Sequence, residues 1–369
     1  MANRSIARMG LDEAVVRLFA ARKIHNAKDA LGLTEMELME LLDMPMDSFE
    51  AALARINKSV CPPFKTVLSI VQMRSKNEVA MGHLSTTLKL LDDALCGGIP
   101  SGVITELVGP PGIGKTQLCL TLSIQTVIPT SFGGLGGSVV YIDTERKFST
   151  TRVMQIGSHK YPGIFCNEAS VREIAQRMMI LTPTSAPELV ESLQKLQSII
   201  PEGNVKLLVI DSIATLLEGD KEDEIFERQE LLGKQASLLK YLAESCRLPV
   251  VVTNHVRASG TYEGYGDGES ELWVALGTAW AHAVNIRLVL EVREGRRCIR
   301  IAKCPVSPAI AMPFLVTSYG IEIDGNEFWQ VNEQDLMAVY RNYDGDDDEE
   351  IIRFNWWKLL DLSLLPLTN

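Results

Sequence analysis

The chain has 369 residues, a hydrophobic fraction of 46% and a formal net charge of −11. This size suits two domains or one large domain with appendages, and the hydrophobic fraction is typical of a globular protein. Charged residues interrupt every apolar run before about 18 residues, so we expect no membrane span and no membrane partner. The scattered cysteines predict reduced thiols, and the acidic balance argues against a protein that simply coats nucleic acid.

The first 60 residues predict a small helical domain. Apolar residues recur at helical spacing over four segments, residues 11–21, 26–31, 35–42 and 46–56. Pro62 and Pro63 then favour an extended linker, which we place at residues 61–83.

Residues 84–325 alternate strand-like and helix-like segments, which is the pattern of an α/β domain. Four near-continuous apolar runs predict strands of a mainly parallel sheet covered on both faces, at residues 103–108, 138–142, 206–210 and 249–253. Three later runs lie closer together and predict antiparallel strands, at residues 285–292, 298–302 and 312–317.

A glycine-rich loop follows the first of these strands. Residues 109–116 read G-x-x-x-x-G-K-T, and residues 117–127 predict a helix. A strand, this loop and a helix form a phosphate-binding loop, which we favour over a plain glycine turn. We expect Lys115 to reach the β- and γ-phosphates of a nucleotide and Thr116 to ligate Mg²⁺. The predicted nucleotide-binding residues here are Gly109, Pro110, Pro111, Gly112, Ile113, Gly114, Lys115, Thr116 and Gln117.

Three other predicted strands lead into polar residues that belong at the same edge of the sheet. Asp211 ends the third strand, where a carboxylate holds Mg²⁺ directly or through water. Glu145 follows the second strand and is either the group that deprotonates the attacking water or a surface acid in a loop. His255 follows the fourth strand and is either a γ-phosphate sensor or a structural histidine.

The tail, residues 326–369, differs from the rest of the chain. It contains six acids in the seven residues 344–350 and then Phe354, Trp356, Trp357 and a leucine-rich end. It is either a solvated linker with a loosely docked end or a partner-binding helix, and its sequence leaves both open.

The order of these motifs resembles that of the eukaryotic RecA-type recombinases. The chain carries G-P-P-G-x-G-K-T, Y-I-D-T-E, L-L-V-I-D-S, V-V-T-N and L-G-T-A-W-A-H in the family's order. The resemblance spans roughly residues 5–325 and is nearest to the family's B-type paralogues. It implies a RecA-type P-loop ATPase core preceded by a small helical domain. That domain would be a degenerate helix-hairpin-helix, because Met44-Pro45-Met46 lacks the family's glycine.

The resemblance also implies roles for single residues. Glu145 would activate water, with Lys115 and His255 beside it, and Arg152 would stack on adenine. Position 255 is histidine where the family usually has glutamine, and only histidine changes charge near neutral pH.

Three more residues would face the nucleotide of an adjacent subunit, so that ATP lies between protomers. They are His282, Lys303 and Pro305. Lys303 stands where the strand-exchange enzyme has an acid. It is either a cation that stabilises γ-phosphate charge across an interface or an exposed strand residue.

The linker departs from the family at an interface motif. Phe64-Lys65-Thr66-Val67 replaces F-x-x-A, and valine in a pocket built for alanine predicts overpacking of about 1–3 kcal/mol. That argues against self-polymerisation, whereas Phe64 remains able to insert into a related partner. The expected partners are other recombinase paralogues, the C-type first and then a larger paralogue complex, together with the recombinase filament.

The two loops that line DNA in the family carry the wrong charge here. Residues 218–230 hold seven acids against two basic residues, and residues 255–275 hold four acids against one arginine. Three aromatic residues could stack on bases or merely pack the second loop, namely Tyr262, Tyr265 and Trp273. We expect weak contact with single-stranded or branched DNA, mostly within a complex.

The resemblance therefore predicts a nuclear DNA repair protein of homologous recombination. It would bind ATP, hydrolyse it slowly as a weak DNA-dependent ATPase, and assist recombinase loading on single-stranded DNA. One alternative is a strand-exchange recombinase that forms homofilaments, and the acidic loops and Val67 speak against it. The other is a structural scaffold with a relic ATP site, against which stand Lys115, Thr116, Glu145 and Asp211.

Overall fold

The computed structural model describes residues 5–60, 66–69, 72, 82–217, 225–258, 272–274, 276–325 and 327–331. The chain divides into two compact units, Met1–Glu78 and Val79–Asn369. Within the described ranges, no helix is long and apolar enough to cross a membrane.

The N-terminal unit is a set of short helices around one apolar cluster. After a 3-10 turn at Ile6–Arg8 come α1 (Glu13–Ala21), α2 (Ala27–Leu31), α3 (Glu35–Leu42) and α4 (Met46–Val60). Capping boxes at Asn26 and Thr34 satisfy backbone N–H groups at the starts of α2 and α3. The helices bury a common core that includes Phe19, Leu38, Leu42, Phe49 and Ile56.

The hairpin between α3 and α4 turns without glycine. Asp43 ends α3 in the left-handed conformation, with φ of 44°, and Pro45 precedes the first residue of α4. Asp is one of the few residues other than glycine that adopts this conformation readily. The four helices predicted from the sequence are present, and α4 continues four residues past Ile56.

The larger unit is built on one mixed sheet. Its strands are β3 (Ile104–Val108), β4 (Ser138–Asp143), β5 (Met178–Leu181), β6 (Val205–Asp211), β7 (Val250–Asn254), β10 (Ile286–Arg293), β11 (Arg296–Lys303), β12 (Ile310–Thr317), β13 (Gly320–Ile323) and β14 (Trp329–Gln330). Four short strands form two separate pairs, β1 (His83–Leu84) with β2 (Ile99–Pro100) and β8 (Val256–Ala258) with β9 (Leu272–Val274).

The strand order is β13-β12-β11-β10-β3-β7-β6-β4-β5, and β14 pairs with β12. The six neighbouring strands β10, β3, β7, β6, β4 and β5 pair in parallel. On the other side of β10, each of β11, β12 and β13 pairs antiparallel with the strand before it. The predicted mainly parallel α/β fold is therefore confirmed, and the four parallel and three antiparallel strands predicted from the sequence are present. Three short strands of this sheet were not predicted from the sequence, namely β5, β13 and β14.

Helices cover both faces of this sheet. They are α5 (Lys89–Ala94), α6 (Lys115–Val127), α7 (Thr150–Lys160), α8 (Pro162–Phe165), α9 (Glu168–Gln176), α10 (Ala186–Glu202), α11 (Ile225–Cys246) and α12 (Gly277–Ala283). In β6, Leu207 and Val209 pack into one apolar core, and Leu208 and Ile210 pack into the other. Parallel strands then present their carboxyl ends at one edge of the sheet, where ligands of such folds bind.

Candidate nucleotide site

The predicted phosphate loop connects β3 to α6. Gly112 and Gly114 have φ of 75° and 132°, conformations that residues with a Cβ rarely adopt. A Cβ on Gly109 would lie 2.3 Å from the carbonyl oxygen of Leu290. Helix α6 begins at Lys115, so its first N–H groups and its partial positive charge lie beside the loop. The glycines of the motif are thus required by the shape of the loop.

Lys115 lies inside this loop. Its Nζ donates to the carbonyl oxygens of Gly109 at 2.6 Å and Pro110 at 3.1 Å. Burial lowers the pKa of Lys115, while the carboxylates of Asp211 and Glu145 act in the opposite direction. A partly desolvated ammonium beside backbone N–H groups fits a bound phosphate chain.

The two predicted Mg²⁺ ligands are in direct contact. Thr116 Oγ1 donates to Asp211 Oδ2 at 2.8 Å. The hydroxyl of Tyr141 donates to the same oxygen at 2.8 Å, and Thr253 Oγ1 donates to Oδ1 at 2.6 Å. A hydroxyl and a carboxylate are the hard oxygen donors that Mg²⁺ prefers, so this pair fits an ion held together with nucleotide phosphates. Tyr141 and Thr253 were not predicted as site residues, although both lie near strand ends whose polar residues were.

Glu145 and His255 also meet at this edge. His255 Nε2 lies 2.7 Å from Glu145 Oε1 and 3.2 Å from Ser212 Oγ. Thr215 Oγ1 donates to the same Glu145 oxygen at 3.2 Å, and the Lys147 ammonium contacts Oε2. Burial by itself raises the pKa of Glu145, but hydrogen bonds from Lys147, Ser212 and His255 outweigh it and lower the pKa to about 2. Glu145 is therefore an ionised carboxylate that is 11% exposed and held by neighbouring side chains.

A cavity of about 540 Å³ opens beside the loop, and Arg152 lines it together with Gly112 and Arg297. The Arg152 guanidinium is fixed by three acceptors, namely Gln117 Oε1 at 2.6 Å, Gln155 Oε1 at 2.7 Å and the Thr317 carbonyl oxygen at 2.5 Å. A planar guanidinium held in this way suits stacking on a base. Gln117, predicted as a nucleotide contact, orients Arg152.

Two of the three residues predicted to face an adjacent subunit meet at α12, because His282 lies in the helix and Lys303 contacts its end. Lys303 Nζ donates to the carbonyl oxygens of Ala281 at 2.8 Å and Val284 at 2.6 Å. Lys303 is thus a half-buried cation that satisfies the C-terminal carbonyls of the helix, a role that the sequence analysis did not foresee. Burial lowers the pKa of Lys303. His282 and Pro305 are exposed, and the contact of all three with a second nucleotide stays a prediction.

Several predicted features lie outside the described residues. They are Phe64, the acidic residues 218–224, Tyr262 and Tyr265 in the second loop, and the tail from residue 332. Val67 is described, and its side chain is 79% exposed.

This arrangement defines the class of the protein. A glycine loop between a strand and a helix, with an Mg²⁺-type carboxylate and a polar glutamate on neighbouring parallel strands, is that of a RecA-type P-loop ATPase. The Rad51 family model matches residues 76–325, and that of the XRCC3/RpoA-like helix-hairpin-helix domain matches residues 6–60. The chain belongs to the Rad51 family, whose members are ATPases that use a nucleotide and usually Mg²⁺.

The chain is also similar to individual DNA repair proteins. It is 46% identical to DNA repair protein RAD51 homolog 2 of Arabidopsis thaliana, covering 88% of this chain and 91% of that protein. The mouse protein of the same name is 34% identical, covering 89% of this chain and 99% of that protein. DNA repair protein RAD51 homolog 3 of Cricetulus griseus is 28% identical, covering 83% of this chain and 88% of that protein. The resemblance to RecA-type recombinases is confirmed.

Proposed function

We propose that this chain is a recombinase paralogue of the B type, which binds ATP, hydrolyses it slowly and acts in nuclear DNA repair by homologous recombination. The contact between Thr116 and Asp211 carries the proposal, because it joins the phosphate loop to the Mg²⁺ carboxylate across 95 positions of sequence. The similarity to proteins named RAD51 homolog 2 supports the B type.

The proposed hydrolysis uses the residues at the carboxyl edge of the sheet. Lys115 and the loop N–H groups would bind the phosphates, while Thr116 and Asp211 would hold Mg²⁺, which neutralises developing charge when bound. Glu145 would orient water and accept its proton, with His255 as the neighbouring polar group. A carboxylate whose pKa is about 2 is a weak base, which favours slow turnover.

We further propose that the chain works in complexes with other recombinase paralogues, the C-type first and then a larger complex, and assists the recombinase filament. The exposed Val67 supports this, because it is available to an interface yet too large for a pocket built for alanine. His282, Lys303 and Pro305 would face the nucleotide of the neighbouring protomer. Contact with single-stranded or branched DNA would be weak and mostly within the complex, and DNA would stimulate the ATPase only weakly.

Light scattering and electron microscopy of the full chain with Mg·ATP and single-stranded DNA, alone and with a C-type paralogue, test this proposal. We expect a monomer alone and a small defined complex with the paralogue. Regular filaments from this chain alone would overturn the proposal and identify a strand-exchange recombinase.

A substitution in the loop tests the role of ATP. Lys115→Ala should weaken ATP binding about 10- to 100-fold, since a hydrogen bond to a charged group contributes roughly 1.5–3 kcal/mol. It should also reduce assembly with the paralogue. Lys160→Ala is the matched control, because burial also lowers the pKa of Lys160 but its ammonium contacts Thr87, away from the loop. Unchanged assembly of Lys115→Ala without bound nucleotide would favour a scaffold with a relic site.

A further inference from the structure

Both oxygens of the Glu145 carboxylate are already engaged by donors of this chain. Oε1 meets His255 Nε2 at 2.7 Å and Thr215 Oγ1 at 3.2 Å, and Oε2 meets the Lys147 ammonium. The Glu145 side chain is only 11% exposed, so little of it remains accessible to solvent. A carboxylate that activates water must offer an oxygen to that water, and here the chain's own donors compete for it.

The position of Lys147 is set by the turn that follows β4. The buried carboxylate of Asp143 accepts hydrogen bonds from the backbone N–H groups of Lys147 at 3.1 Å and Phe148 at 2.8 Å. The ring of Phe148 packs edge-on against Tyr141, with centroids 4.9 Å apart. The turn is therefore anchored at two points, and it brings the Lys147 side chain back to Glu145.

The Lys147 side chain itself is free to exchange partners. It is 63% exposed, so its ammonium can leave Glu145 without entering an apolar environment. It is also close enough to Lys115, Asp211 and Asp143 to interact with their charges. The ammonium thus lies within the electrostatic reach of the proposed phosphate site, where an anionic γ-phosphate would offer it another partner.

We infer that Lys147 is a positioning residue whose ammonium occupies Oε2 of Glu145 in the resting state. Hydrolysis then requires the Lys147 ammonium to leave Oε2. This inference rests on the proposed function, in which Glu145 activates the attacking water. Lys147 acts on hydrolysis through Glu145, and in the resting state it slows hydrolysis. The opposite role, a cation that directly stabilises charge on the transferred phosphoryl group, would make Lys147 accelerate hydrolysis.

Steady-state hydrolysis by the full chain separates these roles by their sign. Since an ion pair with a solvent-exposed lysine is weak, Lys147→Ala should raise kcat about two- to fivefold and leave the KM for ATP unchanged within about a factor of two. Lys147→Arg keeps the cation and should return kcat to the wild-type value. Lys195→Ala removes another exposed lysine paired with a glutamate, Glu191, outside the site and should change neither constant. If Lys147 were merely structural, Lys147→Ala would instead change the melting temperature and would not raise kcat at an unchanged KM.

Glu145→Gln distinguishes failure of the inference from failure of the proposed function. We expect it to abolish most hydrolysis, and we expect adding Lys147→Ala to it to restore none. If Glu145→Gln lowers kcat but Lys147→Ala also lowers it or leaves it unchanged, the inference about Lys147 is wrong and the proposed function stands. If Glu145→Gln keeps the full kcat, or if the wild-type chain hydrolyses no ATP, both are wrong.

Discussion

Two glutamates of the larger unit have similar chemistry and opposite surroundings. Glu106, in the middle of β3, is completely buried, and it accepts from Arg287 Nε at 2.6 Å and from Asn254 Nδ2 and Trp280 Nε1 at 2.7 Å. Its partners belong to strands and a helix inside the fold. Glu145 follows the end of β4 with its side chain 11% exposed, and its partners come from segments that follow the ends of strands. The same carboxylate chemistry therefore gives a permanent link in one place and exchangeable contacts in the other.

Asn254 and His255 connect these two clusters. The Asn254 amide donates to Glu106, and its oxygen accepts the backbone N–H of His255 at 2.8 Å. The buried cluster around Glu106 thus supports His255, which in turn contacts Glu145. Substitutions at Glu106, Asn254 and Glu145 should therefore affect stability in decreasing order.

Glu106→Ala should have the largest effect, lowering the free energy of unfolding by about 3–5 kcal/mol. The physical reason is that three buried donors on β7, α12 and β10 lose a common acceptor. Chemical denaturation of the full chain measures it.

The neighbouring Thr105→Val provides the matched control. Thr105 is equally buried in β3, but its Oγ1 has no hydrogen-bond partner among the described residues. Replacing that hydroxyl with a methyl group should leave stability unchanged or raise it by up to about 1 kcal/mol. Equal losses in both variants would mean that β3 tolerates no change at all, and the special role of Glu106 would be disproved.

Asn254→Ala should have an intermediate effect, about 1–3 kcal/mol of stability, because it removes one donor to Glu106 and the acceptor for His255. It should also reduce ATP hydrolysis, since the backbone that carries His255 loses this anchor. Asn254→Asp should be worse than Asn254→Ala, because it places a second carboxylate beside Glu106. Parallel denaturation and ATPase measurements test this, and an aspartate variant as stable as the wild type would contradict it.

The phosphate loop and the polar residues at the strand ends were easier to predict from the sequence than the buried cluster around Glu106. The glycine loop is local, and its geometry depends on a few backbone conformations that glycine alone adopts easily. Near-continuous apolar runs predicted β3, β4, β6 and β7, because alternate residues of each strand enter different cores. Polar residues at the ends of such strands then marked the site.

The partners of those residues could not be predicted, because they depend on the lateral order of the strands. Glu106 is a single acid in an apolar run, and its partners lie 148, 174 and 181 positions away. Tyr141 and Thr253 reach Asp211 only because β4 and β7 flank β6 in the sheet. Lys303 likewise meets the carbonyls of α12 through tertiary packing, which no spacing in the sequence indicates.

Of the substitutions at Glu106, Asn254 and Glu145, the one at Glu145 should change stability least, and its effect should depend on pH. Its pKa in the folded protein is about 2, below the ordinary value of 4.5. A carboxyl group whose folded pKa is depressed adds stability above pH 4.5 and loses it as the pH falls from there towards 2. Glu145→Gln lacks this titration, so the wild type should lose about 1 kcal/mol more stability than the variant between pH 5.5 and pH 3.5.

Thermal unfolding of both proteins across this pH range measures the difference, and Glu188→Gln is the surface comparison. The pKa of Glu188 is also lowered, chiefly by the backbone N–H of Thr184, but Glu188 is exposed on α10, so its substitution should change the acid response less. If the wild type and Glu145→Gln lose stability in parallel, the donors around Glu145 do not hold its carboxylate in solution. The surroundings of Glu145 would then differ from the buried Glu106 cluster even more than the hydrogen bonds indicate, since they would not stabilise the ionised carboxylate.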